Sequence, residues 1–232
     1  MTSIDYKEMY DQYWKHALKR GEEDSGDLEL SMLFLKKANL LRKQQSILEI
    51  GCAIGKLSNA LHDMGYHNIT GIDIASSAIT FGKNRFPHLN IYRMDANSLK
   101  FPKEHFDICF SFDLVEHLPD VNAHFKEVWR ILKPRGNYLF QTPNILSNSL
   151  ITTIQNRGLG WKVFHPSLQF PWTLKEKLLN SGFVKVEFIK ISPLSSHKIQ
   201  EVPKFARWAF KHMPWKIFPL FLQIGFYVVA YK

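Results

Sequence analysis

Three carboxylates close three apolar stretches in the first half of this 232-residue chain: Glu49 in SILEI, Asp73 in NITGID and Asp95 after LNIYRM. Between the first two runs GCAIGK, residues 51–56, a turn with glycines four apart and a lysine behind them. Glycine lets the backbone come close to a ligand, and a strand-end carboxylate can receive a ribose diol or an ammonium. These types and spacings suggest recognition of a nucleotide or nucleoside. A P-loop requires one more residue between its glycines and a Ser or Thr after the lysine, where Leu57 stands. A dinucleotide turn read from Gly51 puts Ala53 and Lys56 in its second and third glycine places, and a lysine fits badly where helix and strand must pack closely. That leaves a dinucleotide site poor, and a third reading is a site for a nucleoside without phosphates, in which the third glycine has no purpose. Asp73, 18 residues beyond Gly55, stands where a ribose diol is bound by two hydroxyl-to-carboxylate bonds.

The pattern Glu49-x-Gly51-x-Ala53-x-Gly55 resembles motif I of the class I S-adenosylmethionine-dependent methyltransferases, [D/E]-x-G-x-G-x-G, with Ala53 for the middle glycine. Further motifs follow in the family's order over about residues 47–142: GIDIA (71–75), MDAN (94–97), FDICFSFDLVEHLPD (106–120) and WRILKPRGNYLFQTPN (129–144). The last two are similar to the E-H-[LV]-x-D and LKPGG-x-[LF] segments of the subgroup containing ubiquinone-pathway O-methyltransferases, with Arg135 for the first glycine of the pair. FPWTLKEKLLNSGFVKVEF resembles the helix and strand that come next. The resemblance implies that S-adenosyl-L-methionine is the cofactor and S-adenosyl-L-homocysteine the product. It assigns the donor's ammonium to Glu49, its ribose to Asp73, its adenine amino group to Asp95 and its ring to the Ala96 backbone. Gly51, Cys52, Ala53, Gly55, Ile74 and Phe112 complete the expected contacts, and Tyr13 and Trp14 of the N-terminal YKEMYDQYWKH are expected to close over the donor. The acceptor is expected to be a small or lipophilic molecule methylated at oxygen.

Two histidines are candidates to act on that acceptor. His117, in EHLP, follows the fourth strand; the resemblance also makes Asp113, Glu116 and His117 a candidate set for a divalent cation, although Asp113 is one carbon shorter than the usual Glu. The competing reading has Glu116 and His117 bracing the next helix. His165, in WKVFHPSLQF, lies where related enzymes often carry a histidine near the acceptor; a loop histidine bonded to backbone is the alternative.

The elements that must position these residues alternate in period. SILEI (46–50), NITGIDI (68–74), LNIYR (89–93), FDICFSF (106–112), NYLFQ (137–141), VKVEFIKI (184–191) and IGFYVVAY (224–231) read as strands. KLSNALHDMG (56–65), SSAITFGKNRF (76–86, with a serine N-cap), DVNAHFKEVWRILKPRG (120–136) and TLKEKLLNSGF (173–183) read as helices. Such alternation gives an α/β fold, a doubly wound, mostly parallel seven-stranded sheet with helices on both faces and the last strand antiparallel. The expected organisation is one methyltransferase domain: an N-terminal helical cap (1–45), a donor-binding core (46–142), a lid loop (143–172) and a basic aromatic insertion (192–223).

Composition bounds the remainder. Two cysteines are too few for a disulfide framework, and the acid-bearing N-terminus has no signal-peptide h-region, so a cytoplasmic setting is expected. The net charge is +9, and Lys185–Lys232 carries eight Lys/Arg against two acids. Residues 202–223 interleave cations with Trp and Phe, which suits either peripheral contact with an anionic membrane surface or a substrate lid. Nucleic acid is a disfavoured partner, because SFDL stands where an N/D-P-P-Y motif would follow the fourth strand. A nucleic-acid methyltransferase using the basic segment, and a silent module that retains only the donor fold, are the alternatives.

Overall fold

The computed structural model describes residues 5–23, 26–146, 165–192, 195, 198–201, 204–212, 214–215 and 217–232. Its strands are β1 (Ile47–Ile50), β2 (Ile69–Asp73), β3 (Asn90–Arg93), β4 (Phe106–Phe112), β5 (Leu132–Pro143), β6 (Lys185–Phe188) and β7 (Gly225–Tyr231). They form one seven-stranded sheet in the order β3-β2-β1-β4-β5-β7-β6. Parallel pairing runs from β3 to β5, and β7 lies antiparallel to both β5 and β6, as expected of the last strand. The helices are α1 (Tyr6–Lys19), α2 (Leu28–Ala38), α3 (Lys56–Asp63), α4 (Ser76–Arg85), α5 (Val121–Ile131), α6 (Pro171–Asn180), the short α7 (Lys198–Glu201) and α8 (Lys204–His212).

Period-two alternation divides the core between the two faces of the sheet. Leu48, Ile50, Cys109 and Tyr138 join Phe125 and Val128 of α5 and Leu174 and Leu178 of α6 on one side. Ile47, Ile108, Phe110 and Leu139 meet Phe34 of α2 and Leu57 and Leu61 of α3 on the other. Of the segment expected as a cap, α2 therefore belongs to this second core layer, and α1 alone reaches the β1 turn. Strand order reverses between β1 and β4, which opens a crevice at their carboxyl ends.

Several boundaries differ from the sequence reading, three of them with a clear local cause. The helix after Asp120 ends at Ile131 rather than running to Gly136. Leu132 is fully buried and already pairs with Phe106, and Pro134 forces Lys133 out of helical backbone. The next strand is accordingly longer than NYLFQ and accommodates Arg135 at a φ of 65°. The N-cap of α4 is Ala75, which offers no side chain; Ser76 is its first helical residue. Finally, α6 starts at Pro171, where a missing N–H has no helical partner to lose. Most of the lid expected over 143–172 lies outside the described residues. Among those described, no helix is long and apolar enough to cross a membrane.

Candidate nucleoside and acceptor site

Beyond β1 the chain makes three left-handed steps, at Gly51 (φ 77°), Ala53 (φ 50°) and Gly55 (φ 88°). At Ala53 this conformation costs about 1–2 kcal/mol that a glycine would avoid. Backbone bonds hold the turn: the amides of Gly51 and Cys52 donate to Ile72 O at 2.8 and 2.9 Å, and Gly55 N donates to Cys52 O at 2.8 Å. A Cβ on Gly51 would stand 3.2 Å from Leu114 Cδ1, so the turn lies directly against the segment after β4. Gly82 of α4 presses from behind, where a Cβ would meet Ile54 O at 2.4 Å. Nothing in the helix-like pattern of 76–86 distinguishes that glycine.

Glu49 is buried under the turn and accepts a hydrogen bond from Ser58 Oγ of α3. Burial pushes its carboxyl up to about 8. Asp73 ends β2 and accepts from two backbone amides at 2.9 Å each, Ala53 on Oδ2 and Ala75 on Oδ1. Burial also raises its carboxyl, against those bonds. Asp95 accepts from Asn97 N at 2.9 Å and lies 3.7 Å from Lys7 of α1. Ala96 O accepts from the buried His124 Nδ1 at 2.9 Å, so Nε2 is the acceptor for Tyr138 Oη at 2.9 Å, and Ser111 Oγ donates to that hydroxyl at 2.6 Å. This chain of bonds fixes the loop carrying Ala96 to the core.

Helix α1 lies across the same strand ends. Asp11 Oδ1 accepts from Ser77 N at 2.7 Å and Ser76 Oγ at 2.8 Å, supplying from another helix the cap that Ala75 lacks. Lys15 at 2.9 Å holds the Asp11 carboxyl well below the usual range. Trp14 is buried with Ala53, Ile54, Ala75 and Ala78, whereas Tyr13 is 55% exposed. Tyr10, one helical turn before Trp14, also turns inward. Its hydroxyl is buried without a hydrogen-bond partner, and burial together with the charges of Glu116 and Asp73 raises its pKa. Tyr10 thus lies between the strand-end acid of β2 and the segment after β4. Helical spacing favours Tyr10 and Trp14 on one face, but nothing in the sequence marks Tyr10 as the unpartnered one.

A cavity of about 380 Å³ opens beside it, lined by Gly26, Asp113, Glu116, His117, Gln141, His165 and Tyr227 among others. That volume is enough for a small-molecule ligand. The rings of Tyr10 and His117 meet edge to face at 5.6 Å, and those of His117 and His165 lie tilted at 4.8 Å. Ser167 pins the segment that brings His165 here, donating from its amide to Glu116 O (3.1 Å) and from Oγ to Leu118 O (2.5 Å). Burial and the neighbouring His117 lower His165 to about 4, so its imidazole is neutral at physiological pH. Glu116 accepts from Thr142 Oγ1 at 3.0 Å, and burial with Asp113 nearby pushes its carboxyl well up. Among the described residues no three His, Cys, Asp or Glu side chains group to hold a metal ion, and Asp113, Glu116 and His117 form no such set.

Other expected contacts fall less directly on the turn. The Cys52 thiol is buried with Ile79, Leu89 and Ile91, in space left by Gly71. Ile74 presents its carbonyl to Arg93 Nε at 3.1 Å. Phe112 meets Phe34 edge to face at 6.1 Å in the α2 layer. Lys56, at the start of α3, lies 3.9 Å from Glu23.

With this geometry in place, comparison with known proteins is informative. A family profile described as a methyltransferase domain matches residues 48–140. Phosphoethanolamine N-methyltransferase 1 of Arabidopsis thaliana is 26% identical over 166 residues, 68% of this chain and 34% of the relative. A ubiquinone biosynthesis O-methyltransferase of Coxiella burnetii is 32% identical over 116 residues, 48% of this chain and 49% of the relative. The chain thus spans half or less of the length of these two relatives. The crystal structure of an S-adenosylmethionine dependent methyltransferase from Mesorhizobium loti superposes with a TM-score of 0.64 at 19% identity, covering 89% of this chain and 99% of that one.

Proposed function

We propose that the chain is a class I S-adenosylmethionine-dependent methyltransferase that methylates a small or lipophilic acceptor, at oxygen, in the cavity lined by His117, His165 and Tyr227. The residues at the strand ends fit the donor: a turn held open by left-handed backbone at Gly51 and Gly55, carboxylates at Glu49, Asp73 and Asp95, and a buried hydroxyl on Tyr10 that no protein group satisfies. Asp73 would take the ribose diol, Asp95 and the Ala96 backbone the adenine, and Glu49 the ammonium. When bound, S-adenosylmethionine supplies a methyl group already activated on a sulfonium.

The protein's own task is then alignment and exclusion of water. Helix α1, locked to α4 through Asp11, covers the strand ends and places Tyr10 against His117. The observation that carries the oxygen-acceptor reading is the His117–His165 pair on the cavity wall. An oxygen acceptor loses a proton as it is methylated, and a neutral imidazole within the cavity can receive it. Glu116, held toward its neutral form, accepts from Thr142 and braces that wall.

A thermal-shift titration tests the donor half. S-adenosylmethionine and S-adenosylhomocysteine are expected to raise the melting midpoint with concentration. Stabilisation by NAD alone would overturn the reading.

A further inference from the structure

The cation-rich segment near the C-terminus has no acid from residue 202 to residue 232, while Lys204, Arg207, Lys211 and Lys216 punctuate it. On α8, Phe205 is 90% and Trp208 73% exposed; three residues apart, they share one face, and the Trp208 ring stacks on His212 at 4.9 Å. Further along, Ile217 (74%), Phe221 (43%) and Leu222 (52%) also present their side chains to solvent.

These exposed residues are not on slack chain. Gln223, itself buried, donates from Nε2 to the carbonyls of Trp215 (2.7 Å) and Phe218 (3.0 Å). The fully buried Asn144 donates from Nδ2 to Phe221 O at 2.8 Å and Gln223 O at 2.7 Å, and Lys190 Nζ donates to Phe218 O at 2.7 Å. The carbonyls of Trp215, Phe218, Phe221 and Gln223 are thus held from inside while the side chains of Ile217, Phe221 and Leu222 stay exposed. Water alone gives no reason to fix such groups outside. Exposed Trp and Phe on a segment whose sequence carries cations and no acid match the boundary of an anionic bilayer, where rings enter the headgroup region and cations meet lipid charge.

We propose that α8 and the 217–222 segment form a docking surface for an anionic lipid bilayer. The clamp continues into the cavity: Asn144 follows Pro143, and Gln223 precedes Ile224 and Gly225, and Pro143, Ile224 and Gly225 all line it. A docked surface therefore sits beside the cavity, where a lipophilic acceptor could pass from the bilayer. The docking itself does not depend on the donor or on methyl transfer.

Co-sedimentation of the full chain tests this, using vesicles of phosphatidylcholine alone and of phosphatidylcholine mixed with phosphatidylglycerol. Binding is expected to the mixed vesicles only, and to weaken as salt screens the cations. Phe205→Ala with Trp208→Ala is expected to reduce that binding on the order of ten-fold or more, because two exposed rings no longer leave water. The same double variant keeps its melting midpoint and its shift with S-adenosylmethionine, so loss of docking is distinguishable from loss of the donor site. Absence of binding to the mixed vesicles, or equal binding by parent and variant, overturns the proposal. So does a parent that ignores vesicles but binds duplex nucleic acid or forms a dimer that the variant loses.

Discussion

The amide of Ala53 donates to Asp73 Oδ2 at 2.9 Å, joining the β1 turn to the carboxylate that closes β2. One residue departs from its motif by a methyl group, the other is the acid of the next strand, and the two hold each other. Ala53 keeps its left-handed backbone because its methyl is buried with Trp14 and its amide is bonded to Asp73. The other carboxylate oxygen is tied to Ala75, so Asp73 is oriented before any ligand arrives. Asp73→Asn cannot accept on both sides. It is expected to lose about 1–3 kcal/mol of stability and at least roughly ten-fold in S-adenosylmethionine affinity, which corresponds to losing one charge-assisted bond. Calorimetry giving an affinity equal to that of the parent would remove Asp73 from the donor site.

Donor binding should release a proton. With burial holding Glu49 at about 8, the carboxyl is largely protonated at neutral pH and must ionise to receive an ammonium. Affinity for S-adenosylmethionine is therefore expected to rise with pH up to about 8 and then level. Titration calorimetry in two buffers of different ionisation enthalpy reads the proton directly. Heats that do not depend on the buffer would show that Glu49 stays protonated against α3 and meets no charge.

Gly82→Ala is expected to be among the most damaging single-methyl changes in the chain. Its Cβ would sit 2.4 Å from Ile54 O and 2.9 Å from Ile54 C, and backbone cannot swing aside as a side chain does. A loss of about 1–3 kcal/mol from overpacking is expected, visible as a lower urea midpoint, together with weaker donor binding because the turn itself must move. A midpoint matching that of the parent would mean that α4 can slide.

His165→Ala, at the cavity wall, and Tyr10→Phe, behind His117, separate chemistry from donor binding. His165→Ala should lower kcat by roughly 10²–10⁴-fold, the range for a lost proton acceptor, with S-adenosylmethionine affinity near that of the parent. Tyr10→Phe should keep the fold, since its hydroxyl has no hydrogen-bond partner among the described residues, and should lower turnover or donor affinity. Because His165 stays neutral down to about pH 4, kcat of the parent at saturating S-adenosylmethionine should not fall with acid through the usual histidine range near 6.5. Unchanged turnover in His165→Ala would sink the assignment.

His124 gives a stability signature. Burial lowers it from 6.5 to about 4, so between those values the unfolded chain binds a proton that the native state refuses. Stability contributed by this group is then complete above about pH 6.5 and declines as pH falls towards 4, by on the order of 3 kcal/mol in full. Glu49, with its raised pKa, slopes the opposite way, so the comparison must be with His124→Gln. The variant is expected to be less stable at neutral pH, having lost its place between Ala96 and Tyr138, but its urea midpoint should fall less steeply on acidification. Parallel pH profiles would contradict the buried neutral imidazole.

Much of the donor half was legible from residue order. Strand and helix periods are local properties, and right-handed crossovers then leave little choice about which strand ends come together, so Glu49, Gly51, Gly55, Asp73 and Asp95 could be placed on one edge before any coordinates. The acceptor half was not. That His165 lies against His117, 48 residues away in sequence, depends on Ser167 bonding to Glu116 and Leu118. That Tyr10 turns inward while Tyr13 faces solvent depends on how α1 is rotated by Asp11 on α4. That Gly82 is indispensable depends on a backbone contact with Ile54. Sequence alone determined the fold and the strand-end acids, because those follow from periodicity and chain direction. Only the tertiary structure decided where His165, Tyr10 and Gly82 sit relative to the strand ends, because those positions follow from long-range hydrogen bonds and close packing that leave no periodic trace.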